Sequence, residues 1–346
     1  MSFLRVDGAA PDVVTALSAW LDAPGEPAPL MVETSGSTGR PKRVVLSRRA
    51  VLASVEASAR RLGTSGRWLL ALPASYVAGV QVVCRSLVAG APPLLLEEQG
   101  NVAAAVDAGA ELVSLVPTQL HRLLEDPAET TALASLHTVL LGGGPIDPAL
   151  RARAEGAGVR VVATYGSAET AGGCVYDGLP LDGVALAIGT DGRIRIGGPT
   201  LFDGYDGDPA LTAEVLVDGW FLTSDAGRLD EDGRLHVLGR LDDVVVSGGV
   251  NVPTPAVAAR LREHPAVREA EVVGVPDEEW GHRVVAYVVG ELSLADVRDW
   301  VAERHPRSWA PREVVVIDAL PLLPNGKVDR VALRGGRGDE RRGGDR

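Results

Sequence analysis

From Leu30 to about Ala163 short apolar runs alternate with segments of helical character, and this alternation narrows the fold more than any other feature of the chain. The runs Leu30 to Glu33, Trp68 to Leu72, Pro93 to Leu96, Leu112 to Val116, Thr138 to Leu141 and Val159 to Ala163 are too short for helices and read as strands. Between them, helices are expected at Arg48 to Leu62, Val77 to Ala89, Val102 to Ala108, Gln119 to Glu125 and Pro148 to Ala154. Strands and helices in this rhythm make an α/β domain, with helices packed on the sheet. Ligands of such folds bind at the loops where strands pass into helices.

From Val184 to Leu238 the rhythm changes to short strands between glycine and aspartate turns, such as Thr190-Asp191-Gly192, with no long helix. A small β subdomain is expected there. A fresh mixed pattern follows Gly239-Arg240-Leu241-Asp242-Asp243, with elements at Pro255 to Arg262, Val267 to Val275, Val284 to Val289, Leu294 to Arg304 and Glu313 to Ile317. The length of 346 residues suits two domains, which places an N-terminal domain at 1–241 and an α+β C-terminal domain at 242–334. Residues 335–346 are glycine-rich and charged, with no apolar anchor, and read as a disordered tail.

A net charge of −12 excludes a generally basic surface, so neither nucleic acid nor anionic lipid is an expected partner. The N-terminus carries no signal-like apolar run, and no stretch is long enough to span a bilayer, so a soluble cytoplasmic protein without membrane insertion is expected. Cys84 and Cys174 form neither a metal spacing nor a disulfide framework. A homodimer is compatible with these features.

Of the 34 lysine and arginine residues only Lys42 and Lys327 are lysine, and both close glycine turns. Lysine is a compact point charge where arginine is a broad fork, so a surviving lysine marks a place where the fork does not fit. Lys42 ends Thr34-Ser35-Gly36-Ser37-Thr38-Gly39-Arg40-Pro41-Lys42, whose glycines allow close backbone approach and whose Ser35, Ser37 and Thr38 supply donors to a polyphosphate. Pro41 breaks the Walker A spacing, so this is not a P-loop. A ligand-free glycine turn is the alternative.

These nine residues match the first signature of the adenylate-forming superfamily of acyl-CoA ligases, peptide adenylation domains and luciferases, which the chain resembles from about Leu30 to Leu333. Further matches follow in order at Tyr165-Gly166-Ser167-Ala168-Glu169-Thr170, Thr223-Ser224-Asp225, Gly239-Arg240-Leu241-Asp242-Asp243 and Pro324-Asn325-Gly326-Lys327. The resemblance implies a large N-terminal domain and a small mobile C-terminal domain. It also implies an acid–thiol ligase that forms an acyl-AMP from ATP, a carboxylic acid and Mg²⁺, and then a thioester with CoA.

By the same resemblance, Thr34, Ser35, Gly36, Ser37, Thr38, Gly39 and Lys42 hold phosphates, while Gly143, Gly144, Tyr165, Gly166, Asp225 and Arg240 hold adenosine. Glu169 is the implied Mg²⁺ ligand, although a solvated helix-start glutamate has the same appearance. Asp225 can accept both ribose hydroxyls or serve a plain turn, and Arg240 can reach the ribose or α-phosphate or pair with Asp242 or Asp243. Lys327 is implied to act on the α-phosphate and then leave, with rotation about Asp242 bringing Ser247, Gly248 and Gly249 to the acyl adenylate for CoA. Ala168 departs from the family's threonine or serine, which removes one hydroxyl contact to the nucleotide.

The short segment ahead of the phosphate loop is similar to that of the o-succinylbenzoate-CoA ligases of menaquinone biosynthesis, as is Leu72-Pro73-Ala74-Ser75-Tyr76-Val77-Ala78-Gly79-Val80-Gln81. A histidine common there is replaced, with Ser75 or Tyr76 in its place. The expected acyl pocket comprises Tyr76, Val77, Gly79, Gln81 and Arg85, with Arg85 or Gln81 suited to a second carboxylate unless they lie on the helix surface. Rival readings are another acid-CoA ligase, an adenylase that loads a carrier protein, and a catalytically silent nucleotide-binding homologue.

Overall fold

A computed structural model describes residues 2–34, 41–321 and 328–335. Of the expected tail 335–346, Gly335 is described, as the last residue of the helix Arg330–Gly335, and the rest lies outside them. Seven strands form the largest sheet, in the order Leu179–Pro180, Gly172–Tyr176, Val161–Ser167, Thr138–Leu141, Leu112–Leu115, Trp68–Leu70 and Leu94–Leu95. Neighbours from Leu94–Leu95 through Val161–Ser167 are parallel, and Gly172–Tyr176 turns back antiparallel. Strands covered on both faces carry continuous apolar side chains. Accordingly every residue of Leu112–Leu115 and Thr138–Leu141 is buried, with Leu120 and Leu133 of the flanking helices packed against the same core.

Leu30–Thr34 and Lys42–Leu46 form an antiparallel hairpin at the centre of a four-stranded sheet, flanked by Leu4–Arg5 and Gly204–Tyr205. The glycine-rich middle segment forms a third sheet of Ala185–Ile188, Arg193–Gly197, Trp220–Leu229 and Leu216–Val217, with Leu235–Arg240 also paired to Trp220–Leu229. Its longest helix is Pro209–Val215, of seven residues. The C-terminal sheet runs Val250–Pro253, Val244–Ser247, Gly281–Gly290, Val267–Asp277, with Glu313–Val316 parallel to Gly281–Gly290. The helices Thr254–Arg262 and Leu294–Ala302 bury Val257, Leu261, Val297 and Val301 in the core of this sheet. The mixed α/β class is therefore the one the sequence rhythm implies.

Two compact units emerge. One comprises Met1–Gly189, Arg195–Thr223 and Leu229–Leu235, and the other Thr190–Ile194, Ser224–Arg228 and His236–Arg346. No helix among the described residues is long and apolar enough to cross a membrane.

Several element limits differ from expectation for local reasons. Pro93–Leu96 yields only the strand Leu94–Leu95, because Leu96 already begins the helix Leu96–Gln99. The helix expected from Gln119 starts at Pro117, where the missing amide hydrogen is no loss, and ends at Leu123. Helices Ala10–Asp22 and Pro127–Ser135 were not expected. The second has a readable start, since Asp126 accepts hydrogen bonds from the amides of Ala128 and Glu129 and Pro127 occupies the first turn.

Candidate active site

Thr34 and Lys42 are the last cross-strand pair of the hairpin, so the strands deliver both ends of the Ser/Thr/Gly segment to one place. Ser35, Gly36, Ser37, Thr38 and Gly39 lie outside the described residues. The Lys42 ammonium stands 5.3 Å from the ring centroid of Tyr205, whose strand pairs with that of Lys42. Tyr205 in turn donates its hydroxyl hydrogen to Glu169 Oε1 at 2.8 Å, with both side chains buried. Burial, and then the Glu169 charge, push the Tyr205 hydroxyl well above the ordinary tyrosine range. This residue therefore stays a hydrogen-bond donor. Tyr205 was absent from the sequence-derived site, because only the pairing of a two-residue strand with Lys42–Leu46 brings it there.

Glu169 sits in the single turn Ala168–Thr170 that ends the strand Val161–Ser167. Thr170 Oγ1 accepts the Ser167 amide at 2.9 Å, and the Glu169 carbonyl accepts the Phe202 amide at 2.9 Å, so the turn is fixed on both sides. Gly166 is required here, since a Cβ would lie 2.1 Å from the carbonyl oxygen of Gly172. Tyr165 precedes it on the same strand, opposite Val175. Ala168 is buried, and the neighbouring Ser167 Oγ is a buried hydroxyl with no partner among the described residues.

Beside this turn lies a cavity of about 140 Å³ lined by Val77, Gln81, Arg85, Gly142, Gly143, Gly166 and Tyr176, among others. Gly143 has φ +77°, and Gly144 follows in open space. The helix Val77–Val88 supplies the polar wall. Gln81 is 1% exposed and Arg85 7% exposed, and neither Gln81 amide atom nor Arg85 Nε has a hydrogen-bond partner among the described residues. The guanidinium lies over the Trp68 ring at 5.2 Å and donates from Nη2 to the Tyr176 hydroxyl at 3.2 Å. No carboxylate of the described residues pairs with it. Gln81 and Arg85 are thus not helix-surface residues, which removes that alternative. Tyr76 and Gly79, by contrast, are outside the cavity lining: Tyr76 is 51% exposed, and Gly79 packs where a Cβ would meet the Pro73 carbonyl oxygen at 2.1 Å.

In the second unit Arg240 Nε lies 3.6 Å from Asp225 Oδ1, an ion pair rather than a hydrogen bond. Asp243 is held instead by Arg330 at 2.6 Å, and Arg330 also reaches Glu271 at 2.9 Å. Arg240 thus pairs with Asp225, while of the two partners the sequence offered it, Asp242 or Asp243, the Asp243 carboxylate is engaged by Arg330. Ser247 is buried, with no partner for its hydroxyl among the described residues, and Gly248 and Gly249 have φ of +58° and +78° in the two-residue turn of a hairpin. Positive φ at both positions is the geometry such turns favour. The side chain of Asp242 and all of Lys327 are outside what the structure describes.

A family model described as AMP-binding enzyme matches residues 22–206, and one described as AMP-binding enzyme C-terminal domain matches 256–327. The chain belongs to the AMP-binding enzyme family. It is 45% identical over 319 residues to a probable 2-succinylbenzoate-CoA ligase of Mycobacterium tuberculosis, covering 88% of this chain and 83% of that protein. It is 32% identical to the 2-succinylbenzoate-CoA ligase of Listeria monocytogenes, covering 87% and 68%. Among solved structures, the o-succinylbenzoate CoA synthetase of Bacillus subtilis in complex with the acyl-adenylate OSB-AMP matches with a TM-score of 0.75 at 30% identity, covering 88% and 68%. The amide bond synthetase McbA of Marinactinospora thermotolerans matches with a TM-score of 0.77 at 32% identity and the same coverage.

AMP-binding chemistry calls for a cation beside the phosphates. Mg²⁺ commonly binds through one or two carboxylates plus substrate phosphates and retained water. Glu169 fits this use, since Tyr205 engages Oε1 and the carboxylate has a second oxygen to offer a metal ion. No cluster of three or more metal-binding side chains occurs among the described residues.

Proposed function

We propose that this chain is an ATP-dependent o-succinylbenzoate-CoA ligase working through an acyl-AMP intermediate. The supporting observation is Arg85, a buried cation in an AMP-binding enzyme that lines a cavity and has no protein counter-ion among the described residues. Leaving a charge buried and unpaired costs several kcal/mol, roughly, whereas pairing with a bound carboxylate offsets that cost. An acid with two carboxylates meets the requirement: one is activated and the other sits against Arg85 and Gln81. The similarity to 2-succinylbenzoate-CoA ligases gives that acid its identity.

In the adenylation step a carboxylate oxygen bonds to the α-phosphorus of ATP while the bond to the β-phosphate breaks and pyrophosphate leaves. Phosphate charge is to be met by Lys42 and the Thr34–Gly39 segment, and at the α-phosphorus by Lys327 and Arg240. Mg²⁺, when bound at Glu169, supplies further positive charge to the phosphates. Tyr165, Gly143, Gly144 and Gly166 are assigned to adenine, and Asp225 to the ribose. In the second step the deprotonated CoA sulfur bonds to the acyl carbon and AMP departs, with Ser247, Gly248 and Gly249 assigned to the CoA side.

The test is mass detection of the thioester after incubation with o-succinylbenzoate, ATP, Mg²⁺ and CoA. Formation of the acyl-CoA supports the reading. Pyrophosphate exchange with other acids but not with o-succinylbenzoate overturns the acid assignment. Adenylate formation without a thioester, but with amide formation on an added amine, favours the acceptor chemistry named for McbA.

A further inference from the structure

The fixing of Arg85 is itself specific. Arginine only donates hydrogen bonds, so the Tyr176 oxygen accepts from Arg85 Nη2 at 3.2 Å, and the same hydroxyl shares a hydrogen bond of 2.8 Å with Ser58 Oγ. Tyr176 is 1% exposed and Ser58 fully buried, and they belong to the strand Gly172–Tyr176 and the helix Arg48–Leu62. Four elements thus converge on one guanidinium: its own helix, the Trp68 strand beneath its face, the Tyr176 strand and the Ser58 helix. Every partner is neutral. A carboxylate at either relay position would hold Arg85 equally well while cancelling its charge, whereas a hydroxyl chain orients the fork and leaves the charge for a ligand.

We propose that Tyr176, braced by Ser58, is a positioning residue that holds Arg85 toward the second carboxylate of the acid and so sets the preference for dianionic over monocarboxylic substrates. This rests on the reading of Arg85 given above. The hydrogen bonds of the relay run to none of the residues assigned to the nucleotide, so its loss should act chiefly on the acid.

Pyrophosphate exchange with o-succinylbenzoate and with 3-benzoylpropionate, the same skeleton bearing one carboxylate, tests it. Losing one hydrogen bond to a charged group changes binding by about tenfold, so Tyr176→Phe should raise the KM for o-succinylbenzoate by about that factor, with kcat and the KM for ATP little changed. The ratio of kcat/KM for the two acids should fall by a similar factor. Ser58→Ala should move the same quantities by about threefold, and the double variant should be no worse than Tyr176→Phe alone, because Ser58 acts only through Tyr176. In an Arg85→Gln background, Tyr176→Phe should have no further effect. An equal loss for both acids, or a full additional loss in the Arg85→Gln background, overturns the positioning role. If Arg85→Gln itself leaves the o-succinylbenzoate KM at the wild-type value, the reading of Arg85 falls and the proposal with it. If Arg85→Gln is impaired but Tyr176→Phe and Ser58→Ala are not, the positioning role alone is wrong. Should Tyr176→Phe fail to fold, Ser58→Ala carries the same comparison with one buried oxygen removed.

Discussion

Replacing Tyr205 by phenylalanine isolates one hydrogen bond at the centre of the site. The ring remains, so the face presented to the Lys42 ammonium at 5.3 Å is retained and only the hydroxyl donated to Glu169 Oε1 is lost. Both side chains are buried, so water does not readily substitute for the missing donor. Hydrogen bonds to charged groups contribute about 1.5–3 kcal/mol. If the Glu169 orientation is used fully in the transition state for adenylation, about 1.4 kcal/mol per tenfold gives a fall of about 10- to 150-fold in kcat/KM. Pyrophosphate exchange measured across a Mg²⁺ titration is the suitable assay. The expected result is a lower plateau reached at a higher Mg²⁺ concentration, with the KM for the acid nearly unchanged. Wild-type exchange with wild-type Mg²⁺ dependence would refute both the orienting role of Tyr205 and the assignment of Glu169 to the metal.

Lys327→Ala should suppress adenylation yet spare thioester formation from a supplied acyl adenylate, and equal loss of both steps would overturn the assignment of Lys327 to the α-phosphate. Ala168→Ser restores a hydroxyl at the family's position and should raise pyrophosphate exchange by about tenfold, the worth of one charge-assisted hydrogen bond; no gain would mean that the site does not need it. Gly79→Ala forces a Cβ against the Pro73 carbonyl oxygen and should destabilise the fold by about 1–3 kcal/mol, read as a lowered Tm. Burial pushes the thiols of Cys84 and Cys174 from 9.0 up to about 12. Because their folded values are raised, the stabilising contribution is complete below pH 9.0 and is lost as pH climbs toward about 12, by about 1.4 kcal/mol per thiol per pH unit. Urea unfolding from pH 8 to about 11 should show that decline, and Cys174→Ala should flatten it by about one proton; an unchanged slope would refute the burial argument.

The parallel sheet was legible because strands buried on both faces must be apolar throughout, and Leu112–Leu115 and Thr138–Leu141 carry that pattern in a few consecutive residues. Glu169 was legible for another reason, as part of a local motif whose members share one turn. Tyr205 was not, since its place beside Glu169 and Lys42 depends on a strand of two residues adding to a distant hairpin. No periodicity accompanies so short an element. Arg85 and Gln81 fell between these cases. Their residue types suggested a pocket, but helical spacing alone could not tell a wall from a surface, because the Val77–Val88 helix is buried from Gly79 through Ser86.

Such burial gives a way to separate residues kept by the fold from residues kept by a ligand. Gly248 and Gly249 have a sufficient reason in the chain itself: both take positive φ in a two-residue hairpin turn, and a Cβ on Gly248 would meet the Trp280 ring at 2.6 Å. Arg330 and Asp243 likewise satisfy one another. None of these needs CoA to explain it. Arg85 is different, because burying a guanidinium against a tyrosine hydroxyl and an indole ring opposes folding unless something anionic arrives. Gln81, with both amide atoms unmet by the described residues in the same cavity, repeats the cost in neutral form. Two neighbouring polar side chains on one helix, both expensive to the empty fold and both lining the same 140 Å³ cavity, point to an acid that brings its own second anion.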